Sequence, residues 1–243
     1  RKTTKPKPAP VPRLVTPPRR SRNTSVKPAQ TSTAPVSLRP SPIKRCMNMS
    51  AMEAPNEGDW NNYKIRKSHW RAGSEAGFDT IRLPVRFSYH TSPNAPYTIN
   101  PDLLKRIDQL IAWSTEYNLQ IILDVHNFYR ILDDADKEEP RLMAIWDQLA
   151  TRYASAPPNV MFEFLNEPHS SVTNVRIDAI NRRLLERVRQ DNPNRWIVVG
   201  GADYGGLHGL YRTNPPQGDP RIISTFHYYE PFMYTHQGST WTE

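Results

Sequence analysis

From residue 46 onward, short apolar runs alternate with stretches whose apolar residues recur every three or four positions. The runs Cys46–Ser50, Thr80–Leu83, Gln120–Val125, Asn159–Leu165, Trp196–Val199 and Arg221–Phe226 have the length and content of buried strands. Between them, Leu103, Leu104, Ile107, Leu110 and Ile111 keep to one helical face, which Tyr117 extends. Leu142, Ile145, Trp146, Leu149 and Tyr153 mark a second helix. Ile177, Ile180, Leu184, Leu185 and Val188 mark a third, with Arg182, Arg183, Glu186 and Arg187 on its wet side. Asn100 followed by Pro101 is an N-cap and first-turn proline, and predicts where the first of these helices begins.

Strand–helix repetition of this kind predicts an α/β fold, a parallel sheet with helices packed outside it. An open doubly wound sheet and a (β/α)8 TIM barrel both satisfy the pattern. No G-x-G-x-x-G follows the first strand and no P-loop is present, so the main signature of the nucleotide-binding open sheet is missing. Polar and ionisable residues instead stand at the ends of several different strands: Arg82, His126, Asn166 with Glu167, and His227 with Tyr229. Functional groups converging from separate strand ends favour the barrel.

Composition divides the chain. Residues 1–45 hold 12 Lys/Arg and 10 of the 24 prolines, with no acidic, aromatic or glycine residue. Such a segment cannot bury enough apolar surface to offset its ordering entropy, and is expected to be a disordered basic linker. The remainder carries 20 basic and 24 acidic residues, a balance of −4, so the overall +8 belongs to the tail. The tail lacks the aromatic interleaving of a single-strand binding groove, which argues against a nucleic-acid partner. No apolar run reaches membrane-spanning length and no signal core is visible. A single cysteine, Cys46, excludes an intrachain disulfide.

The chemistry concentrates in Phe162-Glu163-Phe164-Leu165-Asn166-Glu167-Pro168-His169. An apolar run interrupted only by Glu163 delivers Asn166 and Glu167 to the end of a strand, and Pro168 cannot continue the ladder. A carboxylate fixed there, beside an amide able to hydrogen-bond a hydroxyl, suits a general acid/base. Arg82, His126, His227 or Tyr229 alone would pass for an ordinary strand-end residue. Four such places on four strand ends describe a site.

Residues 46–243 resemble glycoside hydrolase family 5, the cellulase family. The likeness rests on Gly77-Phe78-Asp79-Thr80-Ile81-Arg82-Leu83-Pro84, Leu123-Asp124-Val125-His126, Leu165-Asn166-Glu167-Pro168 and Phe226-His227-Tyr228-Tyr229. Glu53-Ala54-Pro55-Asn56-Glu57-Gly58-Asp59-Trp60 and Glu230-Pro231-Phe232 also fit bacterial members. The resemblance implies that Glu167 is the acid/base and that Asn166 binds the sugar 2-OH. It implies that Arg82 supports the nucleophile while His126, His227 and Tyr229 line the cleavage subsite, with Tyr204 and Trp241 as further candidate platforms for sugar faces.

Two departures from the family stand out. The strand Cys46-Met47-Asn48-Met49-Ser50 lacks the glycines often found there. The family's nucleophile is a Glu on a seventh strand, which neither Glu230 nor Glu243 matches. The expectation is therefore an incomplete barrel of about six of eight strand–helix units, occupying 46–243 and inactive as it stands. For the complete protein the resemblance implies retaining hydrolysis of β-1,4-glucan without metal or organic cofactor, by a secreted or periplasmic enzyme, monomeric when complete. The substrate partner would be a β-glucan polysaccharide or oligosaccharide, with no nucleic acid and no membrane. A β-mannanase, a β-1,3-glucanase and a non-catalytic carbohydrate-binding remnant are the alternatives.

Overall fold

A computed structural model describes residues 40–60, 62–240 and 242. Most of the basic segment (1–39), Trp241 and Glu243 lie outside the described residues. Six strands form one parallel sheet in chain order: β1 (Cys46–Asn48), β2 (Thr80–Val85), β3 (Gln120–Val125), β4 (Val160–Glu163), β5 (Ile197–Gly200) and β6 (Ile222–Thr225). The crossovers carry α1 (Lys67–Glu75), α2 (Pro101–Glu116), α3 (Tyr129–Asp133), α4 (Ala135–Arg152), α5 (Asn174–Asp191) and α6 (Leu207–Arg212), and α7 (Phe232–Thr235) follows β6. This is the arrangement of six of the eight units of a (β/α)8 barrel. No helix among the described residues is long and apolar enough to cross a membrane.

All six strands predicted from apolar runs are present, β3 with the predicted ends and the other five with shifted ones. β4 leaves the ladder at Glu163 rather than Leu165, although Phe164 N–H still donates to Val198 O (3.3 Å) and Asn166 N–H to Val125 O (3.0 Å). β2 runs two residues past its expected end, through Pro84. On its β1 side, Arg82 O accepts from Met49 N and Arg86 N donates to Met52 O. Pro84 faces that same side, beyond the last residue of β1, so its missing N–H breaks no ladder bond.

Alternation along the strands produces two cores. Outward residues such as Ile81, Leu83, Ile121, Leu123, Val160, Phe162, Ile197 and Val199 pack beneath the helices. Inward residues Ile122, Met161 and Val198 form a small floor with Ile43, Trp196 and Ile223. Strands buried on both faces explain why the sequence shows nearly continuous apolar runs rather than strict alternation. Residues 40–45, assigned above to the linker, meet this floor. Ile43 packs into it, Gln120 donates to Pro42 O (2.7 Å), and the Lys44 and Arg45 amides donate to the Asp79 carboxylate (3.1 Å).

The helices follow their stripes and caps. Asn100 accepts from Asp102 N (2.8 Å) ahead of Pro101, as the sequence predicts. α4 begins at Ala135, well before its apolar stripe, because Asp134 caps it through Lys137 N (3.1 Å). The polar run Asp133–Glu139 and Pro140 hide that start in the sequence. Trp146 of α4 donates to Phe164 O (2.9 Å) and packs on Phe162 and Phe164, bracing the chain where it leaves β4.

Candidate active site

The inward residues become polar toward the C-terminal ends of the strands. Glu163 of β4 and Asp124 of β3 are both buried there, and Arg82 of β2 contacts both. Arg82 binds Glu163 with two parallel hydrogen bonds, Nε to Oε2 and Nη2 to Oε1, each 2.7 Å. The same Nη2 lies 2.9 Å from Asp124 Oδ2 and donates to Asn166 Oδ1 at 2.8 Å. Paired, planar contacts of this kind need a guanidinium; a lysine would supply only a point charge.

The network has consequences for protonation. Burial, with the neighbouring Asp124 charge, pushes the Glu163 carboxyl up, against the pull of Arg82. Although burial works against its charge, Glu163 and Asp124 together hold the Arg82 guanidinium well above its usual value. His126 closes the far side, with Nδ1 2.6 Å from Asp124 Oδ2. The carboxylate oxygen accepts there, so Nδ1 carries the proton and Nε2 is left for the cavity.

Asn166 gains a fixed orientation from the same contacts. Arg82 can only donate, so the oxygen of the Asn166 amide must face it. The NH2 end is then the end available to a ligand. Arg82 itself, which by resemblance was expected to support the nucleophile, points its donors at protein groups.

Glu167 follows with φ +44°, a left-handed conformation that costs a non-glycine residue roughly 1–3 kcal/mol. Its Oε1 lies 2.7 Å from His227 Nδ1. Burial raises the Glu167 carboxyl, but the hydrogen bond from His227 and the charges of His227, His126 and Arg82 outweigh it. The net position is below the ordinary carboxylate range. His227 is anchored through its own amide, which donates to Gly205 O (2.8 Å); Gly205 takes φ +68°, where a glycine is at no disadvantage.

Arg82, His126, Asn166, Glu167, His227 and Tyr229, all named from the sequence, line one cavity of 790 Å3. It is also lined by Asn48, Glu53, Glu163 and His236. Tyr229 is half exposed, its ring edge-on to His227 and to His236. Tyr204 is exposed and stacks on His169 at 4.0 Å instead of lining this cavity. Trp241 falls outside the described residues.

Sequence reasoning left Glu163 and Asp124 without a role. Both are acids inside otherwise apolar strand runs, and that interruption was the available signal. A charge on a doubly buried strand requires a partner, and Arg82 was the inward cation nearest in register. Asn48 and Glu53 carried no such mark, since neither interrupts a clear pattern.

Comparison with known proteins agrees with this geometry. A profile of the cellulase family, glycosyl hydrolase family 5, matches residues 36–243. Endoglucanase H of Acetivibrio thermocellus is 34% identical over 216 residues, covering 86% of this chain and 24% of the relative. Endoglucanase C of the same organism is 31% identical over 182 residues, covering 70% of this chain and 52% of the relative. Thermotoga maritima Cel5A, solved in complex with cellobiose, superimposes with a TM-score of 0.80 at 34% identity, covering 83% of this chain and 65% of that one. The same protein in complex with mannotriose gives 0.79 at 34% identity, with the same coverage of both chains. The chain thus spans about a quarter and about half of those two curated relatives, and about two thirds of the solved structure. With the profile spanning the whole strand–helix region and the polar strand ends gathered into one cavity, the chain belongs to the cellulase family, glycosyl hydrolase family 5.

Proposed function

We propose that this chain carries the acid/base half of a retaining hydrolase of β-1,4-glucan, with Glu167 as the acid/base. The observation that supports it most is the Glu167–His227 pair at 2.7 Å on the wall of the cavity, beside an Asn166 whose amide oxygen is taken by Arg82. In this mechanism a second carboxylate attacks the anomeric carbon and Glu167 protonates the leaving oxygen. Glu167 then takes a proton from the water that releases the sugar. The NH2 of Asn166 is placed to hold a sugar hydroxyl. His126 presents Nε2, and Tyr229 a half-exposed ring, to the same ligand.

The attacking carboxylate must stand roughly 5–5.5 Å from the acid/base. Glu163 and Asp124 are unsuited to that part, because both are buried and bound to Arg82. In the family it is a Glu on a seventh strand. Among the described residues no seventh strand brings such a charge beside Glu167, in line with its position below the usual range. The described six-strand chain is accordingly expected to bind glucan oligosaccharides without turning them over.

The test uses the chain continued through a seventh and an eighth strand–helix unit. There Glu167→Gln should slow cellulose hydrolysis by about 10²–10⁴-fold, the usual contribution of a general acid. Formation of the glycosyl-enzyme from an aryl glycoside with a very good leaving group should suffer far less. Equal rates for parent and variant on cellulose would refute the assignment. Turnover by the 243-residue chain itself would refute the need for a carboxylate from elsewhere.

A further inference from the structure

Beside the main cavity lies a second one of 250 Å3, where the chain leaves β2 and β3. Near neighbours in sequence line the two cavities: Pro84 and His126 the first, Arg86 and Asn127 the second. Asn127 Nδ2 also donates to the backbone of Glu53, which lines the first (3.0 Å). A volume below the roughly 300–1,000 Å3 of pockets for drug-sized ligands leaves room for about one sugar unit.

Its lining is strongly cationic. Arg86, Arg130 and Arg141 all face it, and no carboxylate among the described residues does. Among the described residues, Arg86 and Arg130 have no acidic partner within 4 Å, and Arg141 meets only Glu138, at 3.6 Å. Arg141 is buried, and it holds the turn below by donating to the Ser88 and Thr91 carbonyls. Its Nε makes no hydrogen bond among the described residues.

Arg86 is arranged as a receptor would be. Its guanidinium lies over the Tyr129 ring at 5.0 Å and over the Tyr89 ring at 5.6 Å. Stacking on aromatic faces fixes the plane of the fork while leaving its N–H edge open, which favours two-point binding of a carboxylate. Both tyrosines are about half exposed and offer apolar surface to a sugar ring.

We propose that this pocket is a subsite for an acidic sugar unit, a uronate or similarly carboxylated residue, carried on the glycan that occupies the main cleft. The proposal deepens, and rests on, the reading of that cleft as a β-glucan site. It adds that the chain selects glucans bearing carboxylates over neutral ones.

The test measures binding of two cello-oligosaccharides to the 243-residue chain by calorimetry: one neutral, the other ending in a glucuronate. Charge-assisted hydrogen bonds at this strength predict about tenfold tighter binding of the acidic ligand. The advantage should shrink as salt rises. It should fall to parity in Arg86→Gln/Arg130→Gln, with the neutral ligand unaffected. Arg130→Gln alone, at an exposed position, should remove part of it and guards against misfolding of the double variant. Equal affinities in the parent, or a preference that survives the double substitution, would overturn the subsite. If neither oligosaccharide binds, the glucan reading fails, and free glucuronate judges the pocket alone. Shifts of the Arg86 and Arg130 guanidinium NMR signals with glucuronate but not glucose keep it, and no shift overturns it. Inorganic phosphate binding as well as glucuronate would overturn its identity as a sugar-acid site.

Discussion

Arg82 and Glu163 join β2 to β4 across the intervening strand, through two 2.7 Å hydrogen bonds that pass the Asp124 carboxylate of β3. One cation therefore serves two buried acids and also turns the Asn166 amide. The orientation of the Asn166 amide and the cohesion of the sheet are coupled at this point.

Replacing Arg82 by Met should be severe. It strands two buried carboxylates, and breaking a buried pair by removing one partner costs about 3–5 kcal/mol. Arg82→Met/Glu163→Gln should be less damaging than the sum of its single changes, since each removes the other's unpaired charge. Urea denaturation of the four species checks this. Additivity within a few tenths of a kcal/mol would contradict the coupling.

The acid response should depend on His227. Glu167 is held below its unfolded range, so its contribution to stability is complete above the unfolded pKa, about 4.3. That contribution is lost as pH falls through the lower folded value. Glu163 is shifted the other way, so its contribution is present below its unfolded pKa and is lost as pH rises through the raised folded value. His227→Gln should raise the Glu167 carboxyl toward its ordinary range and narrow the stability gap to the parent in acid. Carbon-detected NMR titration of the Glu167 carboxyl in both proteins decides it. An unchanged or lower value in the variant would contradict the pairing.

Trp146 should matter to the site from outside it. Its indole donates to Phe164 O, two residues before Asn166. Trp146→Phe keeps an aromatic ring but leaves that buried carbonyl unpaired, at a cost of about 1–3 kcal/mol. Oligosaccharide affinity should fall as well, because the segment carrying Asn166 and Glu167 loses its brace. Unfolding and binding curves of the variant test both statements. Intact stability would remove the indole hydrogen bond from the account.

The outer sides of β1 and β6 have no strand partner among the described residues. Open edges invite pairing with other chains, so the chain should self-associate with concentration in sedimentation experiments. The alternation along β6 points the Ser224 N–H outward, away from β5, whose Ile197 N–H donates to Arg221 O. Ser224→Pro should therefore blunt the edge without breaking the β5 ladder. A chain that stays monomeric at high concentration, or a variant that associates as before, would argue against edge pairing.

Much of this was legible in the sequence for a physical reason. A parallel strand buried on both faces is apolar along most of its length, so Gln120–Val125 and Val160–Glu163 announce themselves, and polar residues that follow them line the cavity. The helices with a clear stripe were legible too. Less visible were α1, whose buried residues are only Trp70 and Gly73, and the short α3, α6 and α7, which hold too few turns for a periodicity. The Arg82 network lay beyond sequence reading, because register decides which inward acid meets which inward base. The cationic pocket escaped because Arg86, Arg130 and Arg141 come from three separate elements.

The left-handed backbone of Glu167 has a further meaning. Glycine or asparagine would sit in that conformation more comfortably than glutamate. Folding alone would thus let this position drift toward smaller residues over generations. A glutamate kept there across descendants would be kept by what the cleft does and not by what the fold needs, which makes the position a gauge of whether a lineage still uses its cleft.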